Sequence, residues 1–470
     1  MIKATQRQCL VKSLLAGMAM AMMMTATAFA TTTPPIRSGE YKAPTRAGYE
    51  FQGWYLNPEC TGDMVIDKDG NWLVDIPENA EVFAKWKQPP TILLRGEDFN
   101  AKLGKLAGTT GKITAFKEAN TAPDVSSITN ANIVSTSDSA FPVYAWFDNG
   151  TIWWYSEADN VEMNPDCIYM FSSFDNISNL DLSAFDTSNV TTMYKMFYMS
   201  SITSINVNGW NTSNVTNMKE MFSWCRNLDN VDLSGFDTSN VTDMSSMFRA
   251  CTNLTSLNVN GWNTSNVTNM KEMFSLCQNL DNVDLSGLDT SNVTDMLSMF
   301  EACTSLTSLD VSGWDTSKVT NMRRMFDGCS NLINLDIRGF DTAKVTSMTT
   351  MFSGCSSLTT LDLSGWDTTN LTSTYEMCRS CDNLTSIDLS GWNTSKVTNT
   401  KEMFYRCTNL TKIYASEGWD ISAVSYFNSL NMFSDCEKLT NYDFRYTGKT
   451  RAYYGGDGKG YLTYKAAPTT

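Results

Sequence analysis

Residues 303–328 read CTSLTSLDVSGWDTSKVTNMRRMFDG, and two hydrophobic periods follow one another inside them. Leu306, Leu309 and Val311 keep the L-x-x-L-x-L spacing of a leucine-rich repeat, in which alternate residues of one short strand point inward. Met322, Met325, Phe326 and, one residue past the stretch, Cys329 then fall at i, i+3, i+4 and i+7, with Val319 a turn earlier, which is the spacing of one face of a short helix. Thr320 stands at the N-cap position of that helix. Between the halves, Gly313 tolerates unusual backbone angles, and the side chains of Asp315-Thr316-Ser317 can bond nearby amides. The unit is expected to run strand, turn, loop, short helix, turn.

The same unit recurs along the chain. Met-Phe occurs at Met170, Met196, Met221, Met247, Met273, Met299, Met325, Met351, Met403 and Met432, nearly always at steps of 26, and Met377 followed by Cys378 fills the gap. A period of this size signals a solenoid or a propeller, whose units cannot bury their apolar stripes alone and gain stability by stacking. The expected fold class is an α/β solenoid of 26-residue leucine-rich coils, each with a short strand and a short helix, spanning 167–440. Residues 206–254 and 258–306 are almost identical at an offset of 52, so a two-coil block has been duplicated and its exposed faces repeat. Repetition suits a ligand contacted many times, not a single catalytic centre.

The flanks read differently. Residues 1–30 have the form of a secretory signal, with Lys3, Arg7 and Lys12 before an apolar run and Ala28-Phe29-Ala30 as the cleavage pattern. Residues 31–87 form a small β module marked by PTRAGYEFQGWY at 44–55 and VFAKW at 82–86. Residues 88–166 are a linker and N-terminal cap, in which FPVYAWFDNGTIWWYSEA at 141–158 places two aromatic strands around the hairpin signal Asn149-Gly150. Residues 441–470 form a C-terminal cap or tail. No second apolar run is long enough for a membrane span. The net charge of −15 disfavours nucleic acid and favours basic proteins or cations. The stretch GKLAGTTGKI at 104–113 resembles a phosphate loop superficially, but Leu106 and Ile113 occupy positions that need Gly and Ser or Thr.

The repeat pattern DTSNVTxMxxMFxxCxxLxxLDLS, over roughly residues 141–439, resembles the BspA-like leucine-rich-repeat surface proteins of bacteria. The segment at 44–86, through Gly48-Tyr49, Gly53-Trp54-Tyr55 and Ala84-Lys85-Trp86, resembles a Listeria-Bacteroides repeat, a β-grasp-like module of internalin-type proteins. These resemblances imply a secreted or cell-surface protein associated with adhesion, with no catalytic residues.

Three ladders are candidate functional features. Cys225, Cys251, Cys277, Cys303, Cys329, Cys355, Cys381, Cys407 and Cys436 recur at inward positions; nine cannot all pair, and buried free thiols are the favoured reading over disulfides. Cys378 and Cys381 make a formal C-x-x-C, but zinc would want four ligands and the chain has no histidine. Phe185, Trp210, Phe236, Trp262, Trp314, Phe340, Trp366, Trp392 and Trp419 either pack between coils or offer an exposed stacking platform, with packing favoured. Asp232, Asp284, Asp310, Asp336, Asp362 and Asp388, with Asn206 and Asn258 interleaved, occupy outward strand positions and form the candidate ligand row on a concave sheet. Like charges at adjacent positions destabilise such a row; Asn relieves its first half, and Arg338 is placed to help the second.

The expectation is a non-enzymatic binding protein, an adhesin that contacts an extracellular host or matrix protein through this sheet. The alternative is a structural spacer that presents the N-terminal module. No cofactor is expected. Calcium would suit an acidic row, but no calcium-loop motif is present.

Overall fold

The computed structural model describes residues 30–31, 43–74, 80–124, 126–453 and 460–468. The expected signal segment up to residue 29 and the glycine-rich run 454–459 of the tail lie outside them. The chain divides into two compact units, one of residues 1–91 with 136–142 and 157–160, the other of 92–135, 143–156 and 161–470.

In the first unit, Glu50–Tyr55 pairs antiparallel with Val82–Lys87 and with Ile66–Asp67, and Ala30–Thr31 adds to the far side of Val82–Lys87. Trp54, Val65, Ile66, Val82 and Ala84 form its core, with Phe51, Trp72 and Trp86 packed against it. Phe141 and Asp159, which the sequence places in the cap, belong to this unit: the Phe141 ring lies 6.0 Å from Tyr49, and the Tyr49 hydroxyl donates to Asp159.

The second unit is a repeat-type fold built almost wholly of short strands and turns. Strands of successive units pair in parallel within short groups: Val231 opposes Leu257, Leu309 opposes Leu335, and Leu361 opposes Ile387, while the ladder breaks between Ser204–Asn206 and Asn230–Asp232, between Asn282–Val283 and Ser308–Leu309, and between Asn334–Leu335 and Thr360–Asp362. A second parallel ladder runs along another side through Thr192, Asn217, Asp243, Asn269, Asp295 and Asn321. Next to this ladder, Thr216, Thr242, Thr268, Thr294 and Thr320 direct N–H and hydroxyl to the preceding unit's Thr carbonyl, as Thr320 does to Thr294.

The expected short helix is absent. Met322, Met325, Phe326 and Cys329 are all fully buried, but they reach the core from two successive turns. The Met325 N–H bonds the Met322 carbonyl three residues back, while the amides of Arg324, Phe326 and Gly328 donate to Thr349, Met351 and Ser353 of the next unit. A helix would spend those amides internally; here they join the stack. Thr320 accordingly caps nothing. Each double turn holds two residues at positive φ, such as Arg324 at 56° and Gly328 at 76°. Non-glycine residues pay about 1–3 kcal/mol for that conformation. Ser380 occupies the position of Gly328 and Gly354 with φ 55°. Ser380→Gly is therefore expected to stabilise the chain by about 1 kcal/mol, read as a rise in the denaturation midpoint.

Inside, Phe171, Phe197, Phe222, Phe248, Phe274, Phe300, Phe326 and Phe352 stack nearly parallel, with successive centroids 5.2–5.9 Å apart. At Cys378 a thiol replaces the ring, and stacking resumes between Phe404 and Phe433.

The first repeat is covered by the strands Tyr144–Asp148 and Thr151–Tyr155, which form an antiparallel hairpin around Asn149 and Gly150. Both turn residues have positive φ, as this tight turn requires. Ala115–Glu118 joins in parallel, and helix α1, Gly96–Ala107, packs Phe99 against Phe116 and Phe171. Gly104 of the phosphate-loop-like stretch lies within this helix. At the other end, Leu462–Tyr464 continues the parallel sheet beside Lys412–Ala415. No helix among the described residues is long and apolar enough to cross a membrane.

Candidate functional site

The outward strand positions form the expected row. Asp232 is in register with Asn258, and Asp362 with Asp388. Asp181, in register with Asn206 and accepting a bond from its amide, extends the row by one unit; its LDLS context at 180–183 is the same signal that marks the later members.

Each aspartate is held by its own turn. Oδ1 of Asp232 accepts the Ser234 N–H at 3.0 Å and the Ser234 hydroxyl at 2.7 Å, and Asp284, Asp310 and Asp362 repeat this with Ser286, Ser312 and Ser364. Those bonds hold Asp232, Asp284 and Asp310 below the usual carboxylate range, the last two against repulsion from the next aspartate along. Asn206 and Asn258 accept the amides of Asn208 and Asn260 in the same way. An uncharged Asn thus accepts the same amide as Asp, without the serine hydroxyl bond and with Gly209 or Gly261 at positive φ in the turn that follows.

Charge along the unrelieved half is met by two cations. Arg338 chelates Asp336, with Nε 3.0 Å and Nη2 2.8 Å from the two carboxylate oxygens, and pulls it down to about 2. Lys465, from the segment after the last strand, forms an ion pair with Asp388. Asp388 is consequently buried, and so is Ser390. Burial pushes Asp388 up, but the bonds from Lys465 and Ser390 outweigh it and leave it lowered. The aspartates of the row open to solvent are therefore Asp181, Asp232, Asp284, Asp310, Asp336 and Asp362, and Asp388 drops out of the exposed set. Lys465 lies 77 residues from Asp388, too far along the chain for any local pattern to have linked them.

The aromatic ladder is structural. The indole N–H groups of Trp210, Trp262, Trp314, Trp366 and Trp392 donate to strand carbonyls of Leu182, Leu233, Leu285, Ile337 and Leu363 at 2.9–3.2 Å, and all five rings are buried. That removes the stacking platform. The cysteine ladder is equally internal: the thiols of Cys225 to Cys381 in the ladder each donate to a phenylalanine carbonyl, as Cys303 does to Phe274 at 3.1 Å. All twelve described cysteines are free. Among the described residues, no three of Cys, Asp and Glu converge so as to hold a metal ion.

No curated protein matches the chain. Residues 165–258, 251–361 and 330–445 each match the family described as "Mycoplasma protein of unknown function, DUF285". Together these stretches run from 165 to 445, more than half of the 470 residues, and the chain belongs to this DUF285 family.

Proposed function

We propose that the protein is a secreted or cell-surface binding protein, a leucine-rich-repeat-type solenoid that contacts an extracellular protein through the aspartate row of its strands. The observation that carries this reading is the uniform presentation of the row: Oδ1 of Asp232, Asp284, Asp310 and Asp362 is spent on the turn, which fixes the side chain and leaves Oδ2 for a partner. Fixed, evenly spaced carboxylates suit a basic surface engaged by repeated weak contacts, which gain strength from their number.

Asp284→Asn, Asp310→Asn and Asp362→Asn combined should leave the fold intact, because Asn258 already accepts the equivalent amide. Binding of a basic partner should weaken at least about tenfold at low salt, read by surface plasmon resonance. Undiminished binding would place the partner elsewhere on the protein.

The same hydrogen bonds favour a second reading, in which the row serves only the turns and the array is a spacer presenting the N-terminal module. Removing one 52-residue block, 258–309, would then shorten reach without changing affinity.

A further inference from the structure

The duplicated block provides an internal comparison. Residues 206–254 and 258–306 differ at six positions. Their strand rows are unchanged, but three of the six differences, Trp224 for Leu276, Arg226 for Gln278 and Arg249 for Glu301, fall together on the double-turn face of the first copy. There the guanidinium of Arg226 lies 4.8 Å from the Trp224 ring centroid and that of Arg249 lies 5.5 Å away.

Two features set this cluster apart. Lys195, Arg249, Arg324 and Arg379 on the same face each meet a glutamate, whereas the exposed Arg226, like Arg323 and Arg406, meets no carboxylate among the described residues, and of these three Arg226 is the one whose guanidinium lies over an aromatic ring. The indole N–H of Trp224 also has no acceptor there, unlike those of the ladder tryptophans. One unit earlier, where the Met199 amide bonds the Ser223 carbonyl, Met199 is 47% exposed; its counterpart beside Leu276 is the buried Ala250. An open methionine, a half-buried tryptophan and an unpaired arginine are the residue types that concentrate binding energy at protein interfaces.

We infer that Met199, Trp224 and Arg226 form a docking site for a short peptide segment of a partner protein that carries a carboxylate beside an apolar side chain. The planar guanidinium, pre-oriented on the indole, takes the carboxylate as a fork. Met199 and the edge of Trp224 take the apolar neighbour, since a flexible thioether adapts to varied shapes. The site is separate from the aspartate row and has opposite charge preference.

The test uses the full chain and a labelled peptide alternating Glu with Phe and Leu, read by fluorescence anisotropy at physiological salt. The peptide should bind, and the same peptide with Gln for Glu should bind at least about tenfold more weakly. Trp224→Leu with Arg226→Gln installs residues that the second copy already carries, so the denaturation midpoint should hold while affinity falls at least about tenfold. Arg226→Gln alone, at an exposed position, should lose most of that affinity. Neutralising the aspartate row should leave peptide binding unchanged. Absence of peptide binding, unchanged affinity in the double variant, or tighter competition by an oligohexuronate than by the peptide would overturn the assignment.

Discussion

Treated with an aromatic disulfide reagent at pH 8, the native protein should give up Cys60 first among its described cysteines and the eleven buried ones only on unfolding. Cys60 is partly exposed, and its own partial burial raises it too, but burial pushes Cys225 and Cys277 up to about 12 and Cys303, Cys329 and Cys355 well above the usual thiol value. The thiolate is the attacking species, so this rise suppresses reaction even before access is considered. The same shifts dictate a stability profile. The folded state favours the protonated thiol, so its contribution is complete below the unfolded value near about 8.5 and is lost as pH climbs toward the folded values. Thiol titration with and without denaturant, and denaturant midpoints at pH 7 and above pH 9, check both statements. Rapid modification of most thiols in the folded protein would refute the buried ladder.

The second large effect is mechanical. Phe300 stacks on Phe274 at 5.6 Å and Phe326 at 5.7 Å and touches Trp314, and it is fully buried. Phe300→Ala should cost about 3–5 kcal/mol, because the flanking rings are fixed by their own units and cannot close the gap. In a structure whose units contact chiefly their neighbours, a broken link uncouples the two sides. Denaturation followed by calorimetry should therefore resolve two transitions where the parent shows one. A single transition shifted by under about 1 kcal/mol would mean that the ring stack contributes little.

Much of this arrangement was legible in residues 303–328. The strand register follows from Leu306, Leu309 and Val311, and the inward set Met322, Met325, Phe326 and Cys329 is correct residue by residue. What failed was the backbone beneath that set. Two turns with left-handed residues bring i, i+3, i+4 and i+7 to one face just as a helix does, and hydrophobic spacing cannot separate them. The distinction lies in where the amides go, which depends on the neighbouring unit. Helix α1 was missed for the opposite reason: Gly104 interrupts it, and its buried face rests chiefly on Phe99 and Leu103.

At the aspartate row, the positions were readable because strand alternation is strict. The engagement of Asp232, Asp284, Asp310 and Asp362 by the serine two residues on was not read, although Asp and Ser at that spacing form such turns readily. The cover over Asp388 came from a distant lysine that no periodicity marks. At the double-turn face, the contrast of Trp224 with Leu276 and Arg249 with Glu301 was visible in the sequence, but only the structure brings Trp224, Arg226 and Arg249 into contact.

Binding by an acidic strand face is checked by passing the chain from residue 31 over purified extracellular-matrix and host-surface proteins at low and physiological salt. A basic partner should be retained, with an affinity that falls as salt rises. Retention of no partner at either salt would contradict this and leave the array as a spacer.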